Sequence, residues 1–483
     1  MLREGGNAID AAIVANAVLC VVYPHMTSIG GDLFALVWPA GASEPIGLQG
    51  AGRSGEGATI DAMRERGFSA MPLRGATTVT VPGTVQAWGR LIERYGTVGL
   101  GRALAPAVAI AREGFVVGEN LSRQLHADHA WLSQDPEAAR VLPPLLAGMK
   151  LRQPELATTL EQISRRGFAG FYFGELGRTI AEAVERRGGF LTGGDMAAHR
   201  GEWIEPLAMG YRDLTVYHLP PPTQGLVAMA ILARLARVPS AELEPGPSLA
   251  RRLAGLRDVA YGLRSRYLSD PDFVEVPVAP FLDPDFVGPP PGDVLPDGDT
   301  IYLCAADEAG NVVSLIQSIA YDFGSGIVAD GTGILLQNRG SYFSLDPTHV
   351  NRLEPRKRTM HTLIPALAAR GGKPFAAFGN MAGEGQPQIQ IQVAMNLFDR
   401  GLSPAEAVAA PRVRVNPAGD TLWVEADYPG AAELNRAQSP RVELVPPRDQ
   451  RMGHAQALVV DGPSTWRAGA DPRADGSVEF SGR

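Results

Sequence analysis

Thr300 is the residue whose position in this sequence most needs a chemical explanation. It follows a loop of Pro, Gly and Asp, FVGPPPGDVLPDGD (286–299), and opens the β-rich run TIYLCAA. A threonine hydroxyl is a weak nucleophile until a base removes its proton, and the α-amine of an N-terminal threonine is one such base. Threonine is also common in β-strands, so its position alone leaves a purely structural role open.

The residues after Thr300 predict a β-hairpin that would hold its hydroxyl in place. TIYLCAA and VVSLIQSIA are two runs rich in β-branched residues, joined by the glycine-containing loop DEAGN. Ser318 lies on the second predicted strand. Cys304 falls on the same face as Thr300 by the two-residue period of a strand, and we interpret it as a small buried thiol. We expect the loop before Thr300 to be exposed, because its composition continues neither helix nor sheet.

Helical patterns dominate the sequence before that loop. GGNAIDAAIVANAVLCVV has small or apolar residues on every face, which predicts a helix buried all round. MTSIGGDLFALVW is typical of a glycine turn that leads into a strand. Further helices are predicted twice within residues 82–114, and over 155–166, 176–187, 223–236 and 246–268.

Composition and charge indicate a folded protein and favour small molecules or neutral partners as its ligands. The chain has 483 residues, 45% of them apolar, and a formal net charge of -8. The longest basic block, RKR at 356–358, gives no footprint for nucleic acid or for an anionic membrane. The two cysteines lack the spacing of a disulfide framework or a metal site. HADH (126–129) predicts a solvated helix face, because no third metal ligand follows at a recognisable spacing.

Ordered blocks along nearly the whole chain resemble the gamma-glutamyltransferase family. They are EGGNAIDAAIVANAVLCVVYPHMTSIGGDLFALVW (4–38), VPGTVQAWGRLIERYG (81–96), QPELATTLEQISRRGFAGFYFGE (153–175), LPPPTQG (219–225), GSGIVADGTGILLQNRGSYFS (324–344), and GHAQALVV with AGADPRADG (453–476). Each block alone is a weak signal, whereas the ordered set is specific.

The resemblance implies an α+β fold of the N-terminal-nucleophile hydrolase type, a four-layer αββα sandwich. Members of that family are proenzymes that cut themselves before a threonine, and Thr300 matches that threonine. The expected cleavage site is the bond between Asp299 and Thr300. It would give a large fragment of residues 1–299 and a small fragment of 300–483, which stay associated. The resemblance implies no cofactor and no metal.

Cleavage would supply the base that the threonine hydroxyl lacks. An α-amine has a pKa of about 7.7–8.0, close to working pH, whereas a lysine near 10.4 would need strong perturbation to serve. Attack on an amide would then form a tetrahedral oxyanion, an acyl ester on Thr300, and finally a product released to water or to an amine.

Three further residues match the catalytic surroundings of the family. Ser318 falls where the family has a threonine whose hydroxyl supports the nucleophile. Ala382 and Gly383 fall where the family has two glycines whose backbone N–H groups form the oxyanion hole. The N–H donors are retained, although alanine tolerates fewer backbone conformations than glycine.

The substrate-binding positions depart from the gamma-glutamyl-specific pattern. Most of the residues that hold the substrate zwitterion in the family are replaced, which leaves Arg53, Arg339 and His361 as candidate anion binders, with Thr362 beside them. Arginine suits bidentate carboxylate binding. No matched acid remains for an ammonium, because Tyr342 stands at that place.

We therefore expect a self-processing threonine amidohydrolase or acyltransferase whose small acyl substrate carries a carboxylate, similar to the oxamate amidohydrolase branch. The alternatives are a true gamma-glutamyl hydrolase or transpeptidase acting on glutathione, an enzyme for an unusual acyl bond such as an oxalyl group or a cephalosporin side chain, and a non-catalytic relative. The sequence leaves open which acyl group and which acceptor the protein uses, and whether two heterodimers pair into a homodimer. We expect a cytoplasmic protein, although the family usually carries some twenty residues before GGNA.

Overall fold

A computed structural model describes residues 1–292, 297–436, 440–462 and 464–481. The α-helices are α1 (Ala8–Val22), α2 (Ile60–Glu65), α3 (Thr84–Tyr95), α4 (Leu100–Glu113), α5 (Glu119–Leu132), α6 (Pro136–Val141), α7 (Pro154–Arg166), α8 (Ala169–Tyr172), α9 (Glu175–Arg186), α10 (Gly193–Ala198), α11 (Gly225–Leu235), α12 (Pro247–Tyr267), α13 (Ala279–Leu282), α14 (Gln386–Phe398), α15 (Pro404–Ala409) and α16 (Ala431–Arg436). The strands are β1 (Asp32–Trp38), β2 (Ile46–Gly50), β3 (Phe115–Val116), β4 (Lys150–Leu151), β5 (Glu202–Ile204), β6 (Leu207–Tyr211), β7 (Leu214–His218), β8 (Asp299–Ala306), β9 (Val312–Ala320), β10 (Val328–Ala329), β11 (Ile334–Leu335), β12 (Ala366–Arg370), β13 (Lys373–Met381), β14 (Val413–Val415), β15 (Thr421–Glu425), β16 (Arg441–Val445), β17 (His454–Gly462) and β18 (Thr465–Ala470).

Two antiparallel sheets form the centre of the molecule. One has the strand order β5-β2-β1-β9-β8 and the other the order β18-β17-β13-β12-β7-β6. In the first sheet β9 pairs with β1 on one side and with β8 on the other. The sheet therefore joins strands from both sides of the predicted cleavage site.

Side-chain alternation along β1 produces four layers. Leu33 and Val37 pack against helices that include α1, α3 and α4, whereas Phe34 and Trp38 face Leu367 of the second sheet. On the outer face of the second sheet, α11, α12 and α14 cover strands β7, β12 and β13. Since successive residues of a strand point to opposite faces, one continuous apolar run can supply both layers. The predicted αββα sandwich is confirmed.

The predicted helices and the hairpin β8–β9 are confirmed, with two differences. Helix α1 is buried on most of its surface, but Ala15 is exposed, so the helix is not buried all round. The loop before Thr300 was expected to be exposed throughout. Residues 293–296 of it lie outside the described residues, but Gly298 is buried. Its lack of a side chain lets the backbone enter the interior beside Gly383, so composition alone was misleading here.

Gly31 shows how closely the strands approach at the centre of the first sheet. A Cβ atom at residue 31 would lie 2.3 Å from the carbonyl oxygen of Ser318. That distance is too short for any side chain, and the obstacle is backbone, which moves only by disturbing the pairing of β1 with β9. Glycine at this position keeps the register that holds Ser318.

We expect Gly31→Ala to lower the thermal midpoint of a Thr300→Ala protein, which lacks the predicted nucleophile, with a cost of about 1–3 kcal/mol from overpacking. Circular dichroism melts measure it. The control is Gly210→Ala, because an added Cβ at this exposed strand residue has no atom within 4 Å. Equal midpoints for the two variants would contradict the close contact.

Candidate active site

The hydroxyls of Thr300 and Ser318 converge on one carbonyl oxygen. Thr300 is 2% exposed, and its Oγ1 donates to the Asp299 carbonyl oxygen over 2.6 Å. The Ser318 Oγ donates to the same oxygen over 2.6 Å. This carbonyl belongs to the bond predicted to be cut. A hydroxyl beside it and a donor on its oxygen are what an acyl shift requires.

An irregularity in strand pairing brings these groups together. The register of β8 against β9 shifts between Asp299 and Ile301, so Thr300 opposes an extra residue on β9. Such bulges re-aim side chains next to active sites. Ala320, at the end of β9, has φ 84°, and its N–H donates to the Ser318 Oγ over 2.8 Å. The Ser318 hydroxyl therefore accepts a hydrogen bond from the Ala320 N–H and donates one to the Asp299 carbonyl oxygen.

Arg339 is a buried cation beside this pair. It is 1% exposed, and its guanidinium donates to the Thr362 Oγ1 over 3.0 Å and to the Ser318 Oγ over 3.4 Å. Its Nε has no hydrogen-bond partner, and no carboxylate within the described residues forms an ion pair with it. The guanidinium is thus buried without a counter-charge in contact, a costly state that an anionic ligand would relieve.

Asp32 and His361 form a buried pair next to Arg339. The Asp32 Oδ1 accepts from the Gly52 and Gly83 N–H groups and from Gln337 Nε2. Its Oδ2 lies 3.1 Å from His361 Nε2. Burial raises the pKa of Asp32 to about 6, although the charge of Arg339 and these hydrogen bonds oppose the rise.

His361 is held neutral by its surroundings. Burial first, and then the charge of Arg339, lower the pKa of His361 well below its usual value. Its ring therefore offers one N–H, which is directed to Asp32, and carries no charge for an anion. The sequence prediction included His361 but missed Asp32. The signal available was an acid placed between a glycine turn and an apolar strand in SIGGDLFALVW.

Ala382 and Gly383 lie beside the chain that precedes the predicted cleavage site. Gly383 has φ 43°, and a Cβ there would lie 2.2 Å from the Gly298 nitrogen. Ala382, at the end of β13, has φ 158° and ψ 33°. In the intact chain, the peptide around Gly298 therefore occupies the space next to the predicted oxyanion-hole residues. Gln224 fixes the loop by donating from Nε2 to the Gly383 carbonyl over 3.1 Å.

Arg53 is placed apart from these residues. Its guanidinium pairs with Asp270 at 3.2 Å and with Asp272 at 2.5 Å, and it also donates to the Arg356 carbonyl over 2.9 Å. The side chain is 29% exposed. The structure thus brings together Thr300, Ser318, Arg339, His361 and Thr362, whereas the charge of Arg53 is already matched by two acids. Its role in substrate binding stays a prediction.

The carboxyl groups of the half-buried residues Asp299 and Asp322 interact at the predicted cleavage site. Burial, followed by the charge of Asp322 and a hydrogen bond to it, raises the pKa of Asp299 well above its usual range. Burial also raises the pKa of Asp322, although the hydrogen bond from Asp299 opposes the rise. Arg74 lies nearby and donates to the Asp322 carbonyl.

Two sequence interpretations concern residues outside this group. Cys304 is half-buried and packs in the layer between the sheets, and burial raises the pKa of its thiol to about 12. Asp128 of HADH accepts hydrogen bonds from Gln124 and Trp131 of its own helix. Across the described ranges, no three potential metal ligands gather in one place. Nor does any described helix have the length and apolar character to cross a membrane.

The carboxyl pair predicts how precursor stability depends on pH. Because folding raises both pKa values, the stability that their protonated forms contribute is complete below about pH 4 and is lost as pH rises through the raised values. We expect the melting midpoint of the Thr300→Ala protein to fall over that range. Asp322→Asn in the same background should flatten this fall and raise the midpoint at neutral pH. Asp427→Asn, which changes an exposed acid, is the control. An unchanged pH profile in Asp322→Asn would refute the pair.

Comparison with known sequences gives a consistent result. A family model described as gamma-glutamyltranspeptidase matches residues 1–481. The glutathione hydrolase-like YwrD proenzyme of Bacillus subtilis is 38% identical over 499 residues, which cover 99% of this chain and 95% of the relative. The oxamate amidohydrolase proenzyme of Klebsiella pneumoniae is 34% identical over 511 residues, with coverages of 99% and 95%.

Solved structures agree with the sequence comparisons. The cephalosporin acylase from Bacillus halodurans has a TM-score of 0.92 and 35% identity, and the match covers all of this chain and 93% of that one. The gamma-glutamyltranspeptidase of Helicobacter pylori has a TM-score of 0.56 and 29% identity over 60% of this chain and 87% of that chain. These proteins support an N-terminal-nucleophile fold formed by one precursor chain.

Proposed function

The chain belongs to the gamma-glutamyltranspeptidase family of amidohydrolases and acyltransferases, and we propose that it cuts itself before Thr300 and then hydrolyses a small amide whose acyl group carries a carboxylate. The observation that carries the substrate class is the buried guanidinium of Arg339, which has no carboxylate partner among the described residues and lies 3.4 Å from the Ser318 hydroxyl.

The first reaction is an acyl shift within the precursor. The Thr300 hydroxyl oxygen adds to the Asp299 carbonyl carbon, and the developing oxyanion receives the hydrogen bond of Ser318. The C–N bond breaks, the hydroxyl proton is transferred to the Thr300 nitrogen, and an ester links the two fragments. Water hydrolyses the ester, which leaves a carboxylate on Asp299 and a free amine on Thr300.

The second reaction uses the amine that the first one liberates. The Thr300 amine accepts the proton of its own hydroxyl, whose oxygen attacks the substrate amide. The leaving amine takes the proton, an acyl ester remains on Thr300, and water releases the acid. We assign the Ala382 and Gly383 N–H groups to the oxyanion of this step, once the peptide around Gly298 has left them. Ser318 continues to orient the nucleophile.

The position of Arg339 favours a short acyl group. Ser318 donates to the reacting carbonyl, and Arg339 reaches Ser318, so a carboxylate bound by Arg339 would lie close to the scissile amide. An oxamate-like substrate, with adjacent carboxylate and amide carbons, satisfies this geometry. The Klebsiella pneumoniae relative is named for that activity.

A gamma-glutamyl substrate, as in the name of the Bacillus subtilis relative, would also need an acid for its ammonium. Two buried acids near the site are already engaged, Asp32 by four donors and Glu384 by Arg264. This distribution supports an acyl group without an ammonium. Cephalosporin side chains and gamma-glutamyl amides belong in the same hydrolysis screen as competing substrates.

Fragments 1–299 and 300–483 would stay associated after cleavage. Strand β1 of the first pairs along its length with β9 of the second, and this sheet is buried between helices and the other sheet. The pairing of two such heterodimers and a cytoplasmic location are part of the proposal. Sedimentation velocity and fractionation of the native host test these two points.

Ser318→Ala should slow self-cleavage about 10²–10³-fold, the usual effect of losing one oxyanion donor. Ser318→Thr should retain most of the rate, and Thr300→Ala should stay a single chain. Denaturing electrophoresis over time measures the two fragments. The control is Ser314→Ala, because this buried serine of β9 contacts the Tyr302 hydroxyl rather than Asp299. Active protein that remains one full-length chain would refute the proposal.

Arg339→Gln should reduce kcat/KM for oxamate roughly 10- to 100-fold, because a hydrogen bond to a charged group contributes about 1.5–3 kcal/mol. Hydrolysis of oxamide, which lacks the carboxylate, should change little in this variant. Rates are normalised to the cleaved fraction. An equal loss for both amides would contradict the assigned role. A cleaved protein on which an acylating amide probe leaves no adduct at Thr300 would instead indicate a non-catalytic relative.

A further inference from the structure

Arg414 is a second buried guanidinium near the site, and its one acidic partner among the described residues belongs to the segment before the predicted cleavage site. The side chain of Arg414 is 1% exposed and forms an ion pair with Asp297. It also donates to the Arg451 carbonyl over 2.6 Å, while its Nε has no hydrogen-bond partner. Among the described residues, no acid other than Asp297 is paired with it.

Asp297 and Gly298 lie where a substrate would have to enter. Gly298 fills the space beside Gly383 and between the Ala320 carbonyl and the Tyr342 hydroxyl, which would lie 2.5 Å and 3.1 Å from an added Cβ. On the proposed function, this segment must withdraw before the N–H groups of Ala382 and Gly383 can receive a substrate. When it withdraws, the Asp297 carboxylate leaves Arg414.

Cleavage itself favours that withdrawal. Hydrolysis of the ester adds an α-carboxylate to Asp299, whose side chain already interacts with that of Asp322, so a negative charge is added close to two acidic side chains. Like charges in a poorly solvated place repel strongly. The released segment carries its carboxylates toward water, and Arg414 keeps its charge in the interior.

We propose that Arg414 then binds the distal carboxylate of the substrate acyl group, a short dicarboxylic acid linked as its monoamide. In the precursor, the Asp297 carboxylate occupies the position proposed for the substrate carboxylate. Asp297 also lies on the acyl side of the bond that Thr300 is proposed to cut. Gly385 connects it to the predicted oxyanion donors: a Cβ there would lie 2.3 Å from the Arg414 Nε, so the guanidinium borders the same loop as Gly383. The inference rests on the proposed function of this site.

Arg339 and Arg414 would bind the carboxylates of acyl groups of different length. The Arg339 guanidinium contacts the Ser318 hydroxyl, which in turn contacts the Asp299 carbonyl oxygen. Asp297 is three residues from Thr300, a separation of at most about 10–11 Å between Cα atoms. Arg339 therefore suits a carboxylate adjacent to the amide, and Arg414 suits one that is several carbons away.

The experiment compares Asp297→Asn with the double variant Asp297→Asn, Arg414→Gln. Both precursors lack the ion pair, so effects on maturation are shared, and only the second lacks the guanidinium. Fully cleaved protein is assayed with oxamate, malonamate, succinamate and glutaramate. We expect the loss of Arg414 to raise KM about tenfold or more for glutaramate and to change it little for oxamate. Arg414→Lys should restore part of the affinity.

Two outcomes would overturn the proposal: equal KM changes at every chain length, or a change confined to an N-acyl amino acid, whose carboxylate lies on the leaving amine. Calorimetric titration of the same cleaved proteins with glutarate gives a readout independent of turnover. Glutarate binding that is present in Asp297→Asn and lost in the double variant supports the Arg414 site even if no amide is hydrolysed, which would refute only the proposed function. Equal binding, or none in either protein, refutes the site.

Discussion

The hydrogen bond from the Ser318 hydroxyl to the Asp299 carbonyl is the interaction on which the chemistry of this precursor depends. It places a donor on the oxygen that becomes charged, while the Thr300 hydroxyl contacts the same oxygen. Both contacts occur where the register of β8 against β9 shifts, between Asp299 and Ile301. The neighbouring Gly31 permits β1 to approach the Ser318 carbonyl and so fixes this part of β9.

Electrostatics in the surrounding interior follow from what the fold leaves unpaired. Arg339 is buried near Asp32. The four hydrogen-bond partners of the Asp32 carboxylate, however, are the backbone N–H groups of two loop glycines and the side chains of Gln337 and His361. Asp32 therefore interacts with the charge of Arg339 from a distance, and no carboxylate among the described residues contacts the guanidinium itself. Arg414 would reach a similar state after the proposed cleavage, because its partner Asp297 belongs to the segment that would then be displaced. On this proposal, an anion-binding cavity would be completed by cleavage rather than by folding alone.

The hairpin could be predicted from the sequence because its signals are local, whereas the αββα fold followed from the family resemblance of ordered blocks along the chain. The runs in β8 and β9 are separated by a short glycine loop, and Ser318 follows Thr300 closely enough for one hairpin to hold both. The pair of Asp32 with His361 joins positions 329 residues apart, so no spacing predicts it. Arg53 had a suitable side chain for an anion, but the acids Asp270 and Asp272, distant in sequence, engage it.

The same contrast between local and distant positions explains how substrate choice can change while the reaction stays the same. On the proposed mechanism, the nucleophile, the Ser318 donor and the scissile bond all lie on β8 and β9, so removing any of them would slow or prevent maturation. The charges that would recognise an acyl group come instead from separate segments around Arg339 and Arg414, which meet only in the folded chain. A substitution there changes which carboxylate is held without moving the hairpin. The reaction can therefore persist among relatives that bear the names of different substrates.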